Sequence, residues 1–323
     1  MFRTRITELF GIKYPVLCGG LHGFGRAELV AAVANAGGLG FITAATFDEP
    51  EAVRAEIHKA RELTDKPIGL NINLFPSVRP QPVEEWAHLA VAERIPLVES
   101  SGRSPEGIVG ILKGGGVKLM HKVTGVRYAR TAERLGCDAV CVVGSEGGGE
   151  TSRDRATTVV LVPACVDAVS IPVVAAGGFA DGRGLAVALA LGAEAVLMGT
   201  RFLATQECPG HPNWKRFLVD CKETDTVYVL GSIGTPIRMF RNAYAERIMQ
   251  REQAGASAEE LIALVSGQRG KAAESGDIDD GIADGGLAVG LIHDIPTVKQ
   301  LMDRIIEEAI EARQRLDGIV PSK

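Results

Sequence analysis

Residues 142–154 read VVGSEGGGETSRD, an apolar run followed by two carboxylates, Glu146 and Glu150, set around three glycines. Glycine lets the main chain approach a neighbour closely and take a positive φ, so such packing serves either a turn or a flat, charged ligand lying on bare backbone. In the second case both carboxylates would face the ligand. Other polar residues repeat the pattern. Asn71 and Asn73 alternate along LNINL and therefore share one face of a strand, while Lys122 shares a face with Met120 and His121 points the other way. A lysine at the end of a buried strand is costly unless paired, and two partners would serve. One is an internal ion pair with Glu146; the other is the negatively polarised edge or the phosphate of a flavin.

Composition limits the partners. The chain has 323 residues and a net charge of -5, and it lacks the basic cluster that phosphate neutralisation on nucleic acid needs. No run approaches the roughly 20 apolar residues of a membrane helix, and MFRTRITELFG lacks the pattern of a signal peptide, so the expected location is cytoplasmic. The six cysteines have no metal-ligand spacing and read as free thiols, so no metal is expected.

The elements that must position these residues follow from periodicity. Eight short apolar runs, at 15–19, 38–45, 67–75, 97–100, 118–123, 139–144, 172–178 and 195–202, alternate with amphipathic stretches such as RAELVAAVANAG and DGRGLAVALALGA. Continuously apolar strands separated by helices predict an α/β fold, a (β/α)8 TIM barrel. The rhythm breaks at about residue 203 and resumes at about 296, which predicts a barrel of 1–202 and 296–323 with a mostly helical lid at 203–295, inserted after the eighth strand. In a barrel the site lies at the C-terminal ends of the strands, where the glycines cluster: GGLHG (19–23), GSEGGGE (144–150), AAGGFADGRG (175–184) and MGTR (198–201). Gly177 and Gly178 with Gly199 and Thr200 stand where loops after strands seven and eight bind phosphate. The stretch DIDDGIADGG (277–286) reads as a solvated lid loop, and His211 and His293 as capping or surface residues.

Six collinear segments, among them FRTRITELFGIKYPV, ANAGGLGFITAATF, GVKLMHKVTGVRYARTAERLGCDAV and AAGGFADGRGLAVALALGAEAVLMGTRFLATQE, resemble the nitronate monooxygenase (2-nitropropane dioxygenase) family, and within it most nearly the NADH:quinone reductase members. The resemblance implies FMN held by Gly20, Leu21, His22, Asn73, Lys122, Gly148, Ala176, Gly177, Gly178, Gly199 and Thr200. Leu21 and His22 stand where Met and Gln are often found. The segment 73–82 resembles the Pro-containing loop that helps the reductases receive NADH, and SGQRG (266–270) places Gln268 or Arg269 over the flavin unless Arg269 only caps a helix. The family usually reads EAGGH or ECAGH where this chain has EGGGE, so Glu150 occupies the place of the family's histidine base. A carboxylate is a weaker base than histidine unless burial raises its pKa, and it repels an anionic nitronate.

The expected activity is therefore NAD(P)H:quinone reduction, or reduction of another conjugated acceptor, with hydride passing through FMN N5 and with Glu150 and His22 as the catalytic side chains of the acceptor pocket. NAD(P)H is the expected co-substrate, and a homodimer is possible. The alternatives are nitronate oxidation with O2, an acyl-thioester or enoyl oxidoreductase using Glu150 as base, and flavin storage without turnover.

Overall fold

The computed structural model describes residues 2–75, 81–151 and 154–319. Its strands are β1 (Val16–Cys18), β2 (Leu39–Thr43), β3 (Gly69–Asn73), β4 (Leu97–Ser101), β5 (Lys118–Val123), β6 (Ala139–Val143), β7 (Gly149–Glu150), β8 (Val173–Ala176), β9 (Ala195–Met198), β10 (Thr226–Val229) and β11 (Ile237–Phe240). Eight of them form a closed parallel barrel in the order β1-β2-β3-β4-β5-β6-β8-β9, with β1 pairing β9 to complete the ring. Each predicted run coincides with one barrel strand, β4 extending one residue beyond its run to Ser101. The last ends early, at Met198, because Gly199 starts the short helix Thr200–Leu203.

Inward and outward residues alternate as a barrel requires. Leu17, Phe41, Leu97, Met120, Cys141, Val174 and Leu197 fill the interior, and the N-terminal helix Arg5–Phe10 adds Ile6 and Phe10 to the same cluster. That helix plugs the N-terminal end: Arg5 pairs with Glu194 ahead of β9 and reaches the carbonyl of Ser170 ahead of β8. The outward faces pack on the crossover helices, whose ring closes with Val298–Ile319 lying against Gly182–Ala190 and Ala27–Asn35. A side chain on Gly182 would overlap the backbone of Ile305 and Ala309, so glycine sets the depth of that crossing.

Between β9 and the closing helix lie the helices Pro212–Asp220, Ala243–Gln253, Ala258–Val265 and Lys271–Ser275 and the hairpin β10–β11. The strands were not foreseen. They make a three-stranded antiparallel sheet whose third member is β7, from the loop after β6, with Ile237 opposite Glu150 and Arg238 opposite Gly149. Val229, Met239, Tyr244, Ile248 and Leu261 give this region its own apolar cluster.

A Cβ on Gly148 would lie 2.6 Å from the carbonyl carbon of Gly285 and 2.8 Å from the nitrogen of Gly286, so the backbone of these two residues by itself calls for glycine here. One expectation about a loop needs correction. The stretch 277–286 is not a solvated loop throughout: Ile282 and Ala283 are buried, Ala283 accepts from the Phe240 N–H at 2.8 Å, and Gly286 donates to the Thr200 hydroxyl at 3.0 Å. The six cysteines are unpaired and buried, and no helix among the described residues is long and apolar enough to cross a membrane.

Phe10→Ala should empty the plug and cost about 3–5 kcal/mol in urea unfolding. Gly148→Ala should push on lid backbone that has no flexible side chain to yield, lowering stability by about 1–3 kcal/mol in the same measurement.

Candidate active site

A cavity of about 910 Å³ opens at the C-terminal ends of the barrel strands, under the lid. That is near the upper end of ligand pockets, about 300–1,000 Å³, and holds more than one small ring system. Gly20, Leu21 and His22 line it from the loop after β1, Asn73 from β3, Lys122 from β5 and Gly148 with Glu150 from the β6 loop. Ala176, Gly177 and Gly178 complete it at β8, Gly199 and Thr200 at β9, and Arg269 from the lid. Gln268 turns back to the carbonyl of Ser266. Residues 76–80, within the segment expected to receive NADH, lie outside the described residues.

The floor is built by adjacent strands. Glu99 on β4 is wholly buried, with Asn71 of β3 donating to its Oε2 at 2.6 Å and the Gly20 N–H donating to the same oxygen at 2.9 Å. Lys122 Nζ lies 3.0 Å from Glu99 Oε1, close in distance but not aligned as a hydrogen bond. Burial opposes the charge on Lys122, yet Glu99 outweighs it and holds the ammonium pKa above its ordinary value. Lys122 therefore pairs with Glu99 and not with Glu146. A side chain on Gly20 would overlap Asn71, so glycine is what lets the β1 loop settle on this pair.

Glu146 lines the cavity too, with its carboxylate already engaged. Its carboxylate accepts from the Thr158 N–H at 2.9 and 3.0 Å and from the Thr158 hydroxyl at 2.8 Å, at the start of the helix Thr158–Val166. A carboxylate is favourable at that end of a helix dipole, and the bond anchors the glycine loop. His121 points off the inner face, as its alternation predicted, and meets the Ser100 hydroxyl at 2.8 Å; burial lowers its pKa to about 4. His211 caps the helix Pro212–Asp220, and His293 is exposed.

At the β8–β9 end, Gly177 and Gly178 have φ of 97° and 84°, a region glycine tolerates best. The N–H groups of Gly177, Gly178, Gly199 and Thr200 meet no acceptor among the described residues. The Thr200 hydroxyl accepts from Gly286 and keeps its own proton to donate.

The roof holds a cluster that sequence reading only half anticipated. Arg269 Nη2 lies 2.7 Å from Glu150 Oε1, and Arg269 Nε lies 3.5 Å from Asp284 Oδ2. Burial works against the Glu150 charge, but the Arg269 guanidinium overcomes it and lowers the pKa. Asp284 behaves oppositely. Burial pushes it up to about 6, Arg269 offsets part of that rise, and the Glu150 charge adds to it. Burial and then the positive Arg269 lower the pKa of His22. Glu99 and Asp284 were both missed. Glu99 had a signal, an acid at the same parity as inward Leu97 in LVES; Asp284, one of four acids in a Gly/Asp-rich stretch, had none.

Against known proteins, the chain matches the Nitronate monooxygenase family model over residues 3–308. A Rhodococcus jostii (strain RHA1) protein described as (3aS,4S,5R,7aS)-5-hydroxy-7a-methyl-1-oxo-octahydro-1H-indene-4-carboxyl-CoA dehydrogenase is 34% identical, with 98% of each chain covered. A probable nitronate monooxygenase of Staphylococcus saprophyticus is 35% identical over 76% of this chain and 80% of that protein. Among solved structures, FabK from Thermotoga maritima has a TM-score of 0.93 at 38% identity, covering 99% of this chain and 100% of that one. Nitroalkane oxidase from Streptomyces ansochromogenes has a TM-score of 0.82 at 26% identity, covering 96% of this chain and 99% of that one. With its barrel, its lidded cavity and these relatives, the chain belongs to the nitronate monooxygenase family and is an oxidoreductase.

Proposed function

We propose that this enzyme binds FMN in the cavity and acts on the Cα–Cβ bond of an acyl thioester, exchanging a hydride at Cβ and a proton at Cα. The observation that carries this is the roof cluster: two carboxylates around one guanidinium, Glu150–Arg269–Asp284, inside the cavity. Hydride exchange with a quinone needs stacking and orientation, and the proton it also takes up goes to an oxygen, which exchanges protons readily without such a cluster. Proton transfer at a carbon beside a carbonyl requires one. The end-to-end match to a protein described as a carboxyl-CoA dehydrogenase supports the same chemistry.

The residues present fit FMN. The free N–H groups of Gly177, Gly178, Gly199 and Thr200 would take the phosphate, and Lys122 would face the electron-rich edge of the ring. When bound, FMN supplies a two-electron hydride acceptor and donor. Around it, Glu99 keeps Lys122 charged, Gly20 and Leu21 give a packed surface because their N–H groups are spent on Glu99 and the Thr43 hydroxyl, and His22 stays neutral beside Arg269.

NAD(P)H:quinone reduction uses the same cavity and remains the second reading, and NAD(P)H would equally supply electrons for enoyl-thioester reduction. Nitronate oxidation has least support, since the carboxylate in the histidine's place is held ionised by Arg269 and is a weak base.

Purified protein should carry a flavin spectrum. Anaerobic addition of cyclohexanecarboxyl-CoA should bleach it, or 2-enoyl-CoA should restore the colour of enzyme reduced by NAD(P)H. Recolouring by menadione with none by any enoyl-CoA would favour the quinone reading, and a colourless protein that takes up no FMN would remove the cofactor. Lys122→Met should leave Glu99 buried without its cation and cost about 3–5 kcal/mol in unfolding, with loss of bound flavin on gel filtration.

A further inference from the structure

We infer that Asp284 is the side chain that takes and returns the Cα proton, and that Arg269 and Glu150 position it. The inference rests on the acyl-thioester reading. Sequence resemblance pointed to Glu150 as the base, and the geometry reverses that choice. Glu150 receives the short contact from Arg269, 2.7 Å, whereas the nearest approach of Arg269 to Asp284 is 3.5 Å, beyond a hydrogen bond. Asp284 Oδ1 is closed off from solvent and has no donor, while the side chain as a whole keeps 31% of its surface open and lines the cavity. A carboxylate short of donors and solvent gains more from a proton than one clasped by a guanidinium, so of the two it is the stronger base.

Position makes the group usable. Asp284 sits opposite Met239 of β11, on backbone fixed by the Ala283 and Gly286 bonds, so it is held by lid and barrel mouth together. The charged groups bearing on it are Arg269 from the lid and Glu150 from β7; that pair in turn shifts His22 of the β1 loop, and Lys122 from β5 acts on Glu150. In the step, the Cα–H bond breaks and its proton joins Asp284. The electron pair stays with the substrate, as an enolate whose charge rests on the thioester oxygen. Return of a proton to Cα restores the starting thioester, so the step balances with no net oxidation.

The test is deuterium entry at Cα. FMN-loaded enzyme is held anaerobically in D2O with butanoyl-CoA, octanoyl-CoA or cyclohexanecarboxyl-CoA, and the recovered thioester is weighed by mass spectrometry. Wild-type protein should label at least one of the three, and Asp284→Asn should slow labelling by about 100-fold or more while keeping its flavin spectrum. The wild-type rate should rise with pH as Asp284 loses its proton and level off above about 6. Glu150→Gln should move that bend to lower pH, because it removes a negative neighbour and frees Arg269 for Asp284. The pH profile keeps the idea testable if Asp284→Asn fails to fold. Labelling by Asp284→Asn within tenfold of wild type, or a flat wild-type profile, overturns the assignment while leaving thioester bleaching intact. Wild-type protein that labels no thioester although saturated thioesters bleach its flavin, or 2-enoyl-CoA recolours its reduced flavin, overturns the assignment alone; wild-type protein that does none of the three overturns the underlying activity and this assignment with it.

Discussion

A carboxylate without solvent contact at the centre of a barrel is tolerable only if its charge is met on the spot, and Glu99 is such a group. Lys122, Asn71 and the Gly20 N–H meet it from three sides, drawn from β5, β3 and the loop after β1. That demand ties together neighbouring strands whose register is otherwise set by apolar residues below. It also fixes one ammonium, facing up, at the bottom of the cavity. The cation at the floor thus comes with its counter-charge in place.

The roof is charged as well, but balanced differently. Arg269 stands between two acids and satisfies them unequally, so one carboxylate is held ionised and the other is left reluctant to ionise. Floor and roof each hold a carboxylate with one oxygen that no donor among the described residues reaches, Glu99 Oε1 and Asp284 Oδ1; they differ in that Glu99 has two N–H donors on its other oxygen and an ammonium at 3.0 Å, while Asp284 has only a guanidinium at 3.5 Å that it shares with Glu150.

Much of this was written in local pattern. Eight apolar runs separated by helical stretches gave the barrel, since each strand must be apolar on both faces, and the glycine-rich strand ends marked the rim. Parity alone sorted Lys122 from His121. What pattern could not carry were pairings between distant segments. Nothing in TVYV or IRMF says that they would join Gly149–Glu150 in one sheet, and nothing near residue 284 separates a cavity aspartate from three neighbouring acids. The partner of Glu146 was hidden for a related reason, because Thr158 lies twelve residues on across a turn whose shape the glycines leave open. The glycines were incompletely explained as well: Gly148 answers to the backbone of Gly285 and Gly286, and Gly144 to Thr158.

The strand Gly149–Glu150 belongs to two bodies at once, rising from the barrel as the β6 loop and hydrogen-bonded into the lid sheet through β11. The roof of the site and the wall beneath it are thus one continuous piece of main chain. A rigid upward swing of the lid cannot leave Glu150 behind; either the ladder to Ile237 and Arg238 parts, or Glu150 travels with Arg269 and their ion pair survives the motion.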